Sequence, residues 1–278
     1  MDWKRQGHDV AVVTLVEIRG GAARALGAQM IVRGDAAYSG YISGGCTEAA
    51  VAADAVAAIR NGSDRFLRLG EGSPFFDIVL PCGGGITLAI HLLRNSIELE
   101  TLIEQVTVQR RRMSMIYDPG AQSFKCLSSF GSTEWLEDKF VIAYRPKLKL
   151  LVAGGTQESE ICARIARAAE YEVSLVSQRG QMCWRFDADT AVALLYHDLD
   201  RELPLLRTAL ASDCFYIGAL GSSRTHSRRT KVLHDLGFDA KAIDRIRAPI
   251  GLIPKARDAS VLAISIIAEV VSAYASSE

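Results

Sequence analysis

The sequence predicts an α/β protein in two parts: a strand-rich α+β domain at the N-terminal end, then a Rossmann-like domain built on a parallel sheet. Three observations carry this. The first ninety or so residues hold several Val/Ile/Thr-rich runs and one marked helix. The last 130 alternate apolar strands with amphipathic helices, a pattern that implies a parallel sheet covered on both faces. The length, 278 residues, and a composition 49% hydrophobic and 23% charged suit about two ordinary domains.

In the first part, Asp9–Ile18 reads as a strand and Arg19–Gly27, with three glycines, as a loop. Gln29–Val32 resumes strand character, and Tyr38–Ser43 alternates small and aromatic residues. Thr47–Arg60 is alanine-dense and reads as a helix ended by Asn61-Gly62. Strands are expected at Arg65–Leu69, Asp77–Leu80 and Ile86–Leu93. Residues 1–95 form this domain. Residues 96–146 read as a connecting helix (Ser96–Val108) and a hairpin turning at Asp118-Pro119-Gly120, with a junction at Phe140–Lys149. Residues 147–278 form the second domain. Its strands are Leu148–Ala153, Glu172–Val176, Ala191–Tyr196 and Cys214–Leu220. Its helices are Ser159–Glu170, Leu203–Ala211, Thr225–Leu236 and Asp258–Tyr274, the last capped by Asp258.

Charge and cysteine usage limit the function classes. Lys plus Arg equals Asp plus Glu, at 32 each, which leaves no basic field for a nucleic-acid backbone. No apolar run reaches the roughly 18 residues of a membrane span, and the polar start Met1-Asp2-Trp3-Lys4 does not read as a secretory leader. Six dispersed cysteines without a C-x-x-C pair read as reduced thiols in a cytoplasmic protein.

Four segments offer chemistry. In Ser43-Gly44-Gly45-Cys46-Thr47-Glu48, two glycines precede a helix whose first amides lack intrahelical partners. Such a terminus favours anions and favours a thiolate at Cys46. In Pro81-Cys82-Gly83-Gly84-Gly85 a second thiol stands beside exposed backbone. Each loop alone reads first as a tight turn with an incidental cysteine; together they point to a shared ligand site. No His or Cys pair completes a zinc site, and His91 reads as packed within its strand.

Gly154-Gly155-Thr156-Gln157-Glu158-Ser159 has the placement of a dinucleotide turn but not its spacing. Thr156 and Ser159 stand where glycines belong, and Ser177 ends the next strand where an acidic residue would meet a ribose. NAD(P) is therefore not the expected ligand, and an NAD(P)-dependent oxidoreductase is the alternative reading. The fourth segment, Tyr216–Arg224, brings Gly218, Gly221, Ser222 and Arg224 to a helix start and is the better anion cradle. His197 and Asp198 end the preceding strand, so they should share its carboxyl edge, where ligands of open α/β sheets bind. Arg247–Leu252 adds a rigid loop and another cation.

These segments, in this order, resemble the XdhC/CoxI family. The resemblance rests on Ile42-Ser43-Gly44-Gly45-Cys46 with Leu80-Pro81-Cys82-Gly83-Gly84, on His197-Asp198, on Tyr216–Ser222 continuing to Thr225-His226 and Arg228-Arg229, and on Arg247–Leu252. It implies a chaperone, not a redox enzyme, that binds the molybdenum cofactor as cargo. It further implies that sulfuration is assisted together with a cysteine desulfurase, and that the cofactor is delivered to a xanthine dehydrogenase-type molybdenum hydroxylase apoenzyme. The contacts implied are Ser43, Gly44, Gly45, Cys46, Glu48, Cys82, Gly83, Gly84, His197, Asp198, Gly218, Gly221, Ser222 and Arg224. A homodimer is the default assembly. The chain departs from the family pattern at Thr156, at Ser177 and at Ile253-Pro254-Lys255.

Overall fold

The structure, a computed structural model of the chain, describes residues 2–71, 83–176 and 184–276. The chain divides into two compact units, Met1–Arg145 and Pro146–Glu278.

The first unit opens with a short helix α1 (Asp2–Arg5) and continues through β1 (Val10–Arg19), β2 (Gln29–Arg33), β3 (Tyr38–Gly40), α2 (Glu48–Asn61), β4 (Arg65–Gly70) and β5 (Gly85–Leu92). These strands form an antiparallel sheet in the order β3-β2-β1-β5-β4. Because side chains alternate across a strand, β1 serves two cores. Ala11, Val13 and Leu15 meet Val51, Ala52 and Ala55 of α2. Val10, Val12 and Val16 face the other way. Gly62 ends α2 in the left-handed conformation, as expected from Asn61-Gly62.

The other face of that sheet is covered by residues expected only to connect. After α3 (Ile97–Ile103) and a π turn (Glu104–Val108) come β6 (Met113–Asp118), β7 (Ser123–Leu127), β8 (Glu134–Leu136) and β9 (Lys139–Tyr144). They form a second antiparallel sheet, β7-β6-β9-β8. Met113 and Met115 pack with Val10 and Val12, and Tyr117, Phe140 and Ile142 pack with Val16 and Ala89. Residues 96–145 of the expected 96–146 connection thus form a structural layer of the first unit. Pro146 and its flanking lysines drew the expected junction back over Phe140–Tyr144, which is a strand. The hairpin at Asp118-Pro119-Gly120 is present, with Ala121 N–H bonded to Asp118 Oδ1 at 2.9 Å.

Between the two sheets lies a buried polar cluster. Asp64 Oδ2 meets His91 Nδ1 at 2.5 Å and accepts from the Tyr117 hydroxyl at 3.2 Å, while Oδ1 accepts from Arg94 Nη1 at 2.8 Å. Phe124 stands edge-on to the imidazole, ring centroids 4.4 Å apart. His91 is packed, as the sequence suggests, and its partner Asp64 fixes it.

The second unit runs β10 (Lys149–Ala153), α4 (Gln157–Ala168), β11 (Glu172–Val176), β12 (Thr190–Leu194), α5 (Leu199–Leu210), β13 (Tyr216–Ala219), α6 (Ser223–Asp235), α7 (Ala240–Ile243), β14 (Ile246–Arg247) and α8 (Ala259–Ala275). The sheet is parallel throughout, in the order β11-β10-β12-β13-β14. Helices α5 to α7 cover one face through Leu205, Leu206, Leu233 and Ile243. Helices α4 and α8 cover the other through Cys162, Ala166, Ala263, Ile266 and Val270. This is the Rossmann-like layering predicted, and strand order reverses between β10 and β12, where such folds open a crevice at the strand carboxyl ends. Helix α5 starts four residues before the expected Leu203. Asp198 caps it by accepting from Asp200 N–H at 3.0 Å, and Pro204 lies inside it rather than at its start.

Candidate functional site

Strand register gathers the loops of the first unit at one end of its sheet. Arg19 at the end of β1 pairs with Gly85 at the start of β5, Gly70 at the end of β4 pairs with the same Gly85, and Met30 pairs with Gly40 at the end of β3. The connections after β1, after β3 and before β5 therefore emerge together. Gly84 packs so tightly on the Arg19–Gly21 backbone that a Cβ would fall 2.3 Å from the Gly21 carbonyl oxygen. A Cβ on Gly44 would meet Ala23 of the same connection at 3.7 Å. The two glycine segments thus flank one loop. Cys82, Pro81, Asp77–Leu80 and Ser177 lie outside the described residues.

The interior of the Ser43–Glu48 loop differs from expectation. The helix start of α2 is not open to an external anion, because Glu48 occupies it. Its carboxylate, 1% exposed, accepts from Ser43 N–H at 2.9 Å, Ser43 Oγ at 2.7 Å and Thr47 N–H at 3.2 Å. Burial pushes this carboxyl up, but the Ser43 hydroxyl and the surrounding amides outweigh it and hold it below its usual range. Ser43 and Glu48 are buried and shape the loop; Gly44, Gly45 and Cys46 are its exposed face. Gly45 sits at φ +99° with open space where a Cβ would project. Cys46 Sγ approaches Ser43 Oγ at 3.6 Å. The Thr47 hydroxyl is buried with no hydrogen-bond partner. Beside this face, the Arg24 guanidinium lies 5.9 Å from the centre of the exposed Tyr41 ring, a pair with no motif signature.

In the second unit, the carboxyl edge of the sheet collects the residues that follow β10, β12, β13 and β14. His197 is exposed there and close enough to act on Glu158 electrostatically. Asp198 is committed to capping α5. Gly221, at φ +127°, turns the chain into α6, where Ser222 Oγ accepts from Thr225 N–H at 3.3 Å. Arg224 is exposed on the first turn and Arg247 at the end of β14. Gly218 is placed differently from expectation. It is buried within β13, and a Cβ there would strike Ile250 Cδ1 at 2.5 Å and the Tyr216 hydroxyl at 2.6 Å. Packing under Ile250, not ligand approach, accounts for its lack of a side chain.

The turn Gly154–Ser159 is closed on itself. Ser159, fully buried, donates to the carbonyls of Thr156 (2.7 Å) and Gly154 (3.1 Å) and accepts from Thr156 N–H at 3.2 Å. Gly154 lets β10 approach β12, since a Cβ would lie 3.0 Å from Leu195 O. Two groups that sequence reading passed over support this edge. Glu202 holds Arg229 beneath the β13–α6 loop. Glu269 accepts from the Tyr216 hydroxyl at 2.7 Å and from Gly251 N–H at 2.6 Å, fixing the loop after β14. Among the described residues, no group of three or more His, Cys, Asp or Glu side chains could hold a metal ion. Cys46, Cys126, Cys162 and Cys214 are free thiols, and no described helix is long and apolar enough to cross a membrane.

The architecture, an antiparallel two-layer unit with an exposed Gly-Gly-Cys loop and a parallel Rossmann-like unit, defines a known class. Residues 3–70 match the XdhC and CoxI family, and residues 150–270 match the XdhC Rossmann domain. The chain is 48% identical over 267 residues to the molybdenum cofactor insertion chaperone PaoD of Escherichia coli (strain K12), covering 96% of this chain and 84% of that protein. It belongs to the XdhC and CoxI family. A crystal structure from Bacillus halodurans, described as a xanthine dehydrogenase, shares the fold across the whole chain with a TM-score of 0.73 at 17% identity, and 95% of that chain is covered.

Proposed function

We propose that this chain is a molybdenum cofactor insertion chaperone. It binds the cofactor as cargo, supports its sulfuration together with a cysteine desulfurase, and passes it to a xanthine dehydrogenase-type molybdenum hydroxylase apoenzyme in the cytoplasm. The 48% identity to a protein of that name supports the reading. The observation that carries it to residues is the loop Gly44-Gly45-Cys46, whose soft thiol and unhindered backbone project from a base locked by Ser43 and Glu48.

The donor set suits the cargo's chemistry. The molybdenum cofactor presents a phosphate, a dithiolene and an oxidised metal. A thiol at Cys46, with Cys82 next to Gly83 in the sequence, matches sulfur-rich, soft chemistry. Arg224, Arg247 and the Ser222 helix start offer charge and N–H groups to a phosphate. Gly83, at φ +69°, is exposed beside the first site, and His197 stands exposed at the second. Ser43, Glu48 and Asp198 shape the loops that carry these contacts.

Purified protein incubated with isolated cofactor, freed of excess by gel filtration and oxidised to a fluorescent pterin, tests this. Stoichiometric pterin in the wild type and strong loss in Cys46→Ala with Cys82→Ala are expected. Equal retention by the double variant would overturn the site. Saturable micromolar quenching by NADH or NADPH would restore the oxidoreductase alternative, against which the self-closed Thr156–Ser159 turn argues.

A further inference from the structure

The connection between β1 and β2, which both glycine segments flank, is almost bare. Gly20-Gly21-Ala22-Ala23-Arg24-Ala25 contains one long side chain, Arg24. Its backbone is pinned on both sides. Ala22 packs into the core shared with α2, and Leu26 into the core between the two sheets. Gly27 N–H bonds to the Leu15 carbonyl at 2.8 Å and Ala28 N–H to the Ala25 carbonyl at 3.1 Å. Arg24 is exposed, and among the described residues no carboxylate pairs with it. Arg19, at the end of β1, is by contrast committed to Glu17, Thr87 and the Glu71 carbonyl. Arg24 instead lies 5.9 Å from the centre of the Tyr41 ring, which is itself 53% exposed. A ring face holds a guanidinium without using its N–H donors, so the fork stays available to an anion.

The surroundings say which anion. Ala23 lies against Gly44, and Tyr41 begins the segment that runs to Cys46. Between them Ile42 and Ser43 are buried and the two glycines have no side chain, so Arg24, Tyr41 and Cys46 are the exposed side chains that border this bare backbone. The same loop holds a polar group that its own bonds leave unsatisfied. A threonine at a helix start normally accepts from an amide of the first turn. Thr47 does not, and its hydroxyl, in a residue 3% exposed, has no partner. A cation alone suits a phosphate and a thiol alone suits a soft metal; the two together suit an anion that carries both oxygen and sulfur. The molybdenum end of the cofactor is such a group, since its oxo and sulfur ligands leave it negatively charged. We propose, on the reading that this chain carries the molybdenum cofactor, that Arg24 receives the anionic molybdenum end of the cargo beside Cys46 and makes the site selective for the metal-bearing form. Arg24 supplies charge and donors, and Tyr41 positions it.

Anaerobic titration with isolated cofactor and, separately, with metal-free molybdopterin tests this. The wild type should bind the metal-bearing form more tightly. Arg24→Gln should weaken that form about tenfold, the loss expected for one charge-assisted hydrogen bond, and should bind metal-free molybdopterin as the wild type does. Arg24→Lys keeps the charge but not the planar fork and should fall between the two. Tyr41→Phe keeps the ring and should match the wild type, while Tyr41→Leu should shift toward Arg24→Gln. Thermal unfolding of all four variants should be unchanged, because both residues are exposed. A wild type that binds both forms equally overturns the proposal and leaves the cargo reading in place. So does an Arg24→Gln protein that keeps the full preference, or one that loses both forms to the same extent. A wild type that binds neither form overturns the cargo reading and this assignment together.

Discussion

Arg229 and Glu202 form a fully buried fork. Nε meets Oε1 at 2.5 Å and Nη2 meets Oε2 at 3.0 Å, while Nη2 also donates to the Leu220 carbonyl at 2.8 Å. Each residue is 1% exposed. The pair ties the first turns of α5 to α6 and holds the end of β13, from which Gly221, Ser222 and Arg224 project. Its role is to set the shape of the carboxyl-edge loop.

Removing one partner should therefore cost far more than removing both. Arg229→Met leaves Glu202 buried without a counter-charge and should lower unfolding free energy by about 3–5 kcal/mol. Adding Glu202→Leu should recover most of that. Cofactor retention should stay low in the double variant, because the Leu220 carbonyl still lacks its donor. Urea unfolding and the pterin assay separate the two effects.

Glu48 should behave as an internal anion. Glu48→Gln should destabilise by about 1–3 kcal/mol. Because the folded-state carboxyl is held below its ordinary 4.5, its contribution is complete above that pH. It is lost as pH falls through the lower folded value. The stability gap between wild type and Glu48→Gln should be constant from neutrality down to about pH 5 and close at more acid pH. A gap that widens on acidification would refute this.

The glycines should separate by cause. Gly84→Ala forces a Cβ onto the Gly21 carbonyl and should cost about 1–3 kcal/mol or more through overpacking. Gly45→Ala meets open space and should cost only its left-handed backbone, about 1–2 kcal/mol. Thermal unfolding should rank Gly84→Ala as the less stable, while both should reduce cofactor retention.

Arg224→Ala and Arg247→Ala remove exposed cations and should leave stability within about 0.5 kcal/mol of the wild type. Each should weaken cofactor binding. The loss should be largest at low salt, where an anion contact is least screened. Unchanged binding at low ionic strength would place the phosphate elsewhere.

The legible features were those with local causes. Alternation in β1, the Asn61-Gly62 stop of α2, the Asp118-Pro119-Gly120 turn and the Asp258 cap of α8 each follow from a few adjacent residues, and the strand–helix rhythm after residue 147 carried the parallel sheet. The second layer of the first unit was hidden because β8 is three residues long and β9 runs straight into the lysines around Pro146. Gly218 looked like a ligand glycine because the side chain it makes way for, Ile250, lies 32 positions away.

By itself the sequence determined the fold class and the family, and it nominated two segments, Gly44–Cys46 and Tyr216–Arg224, for the proposed chemistry. Tertiary structure alone decided which of their groups face outward. Glu48 sits one residue from its cap yet turns back to bind Ser43, leaving Cys46 exposed, while Gly84 is spent on the Gly21 backbone. Hydrogen-bond satisfaction and close packing are settled by neighbours brought together in space, and no spacing along the chain records them.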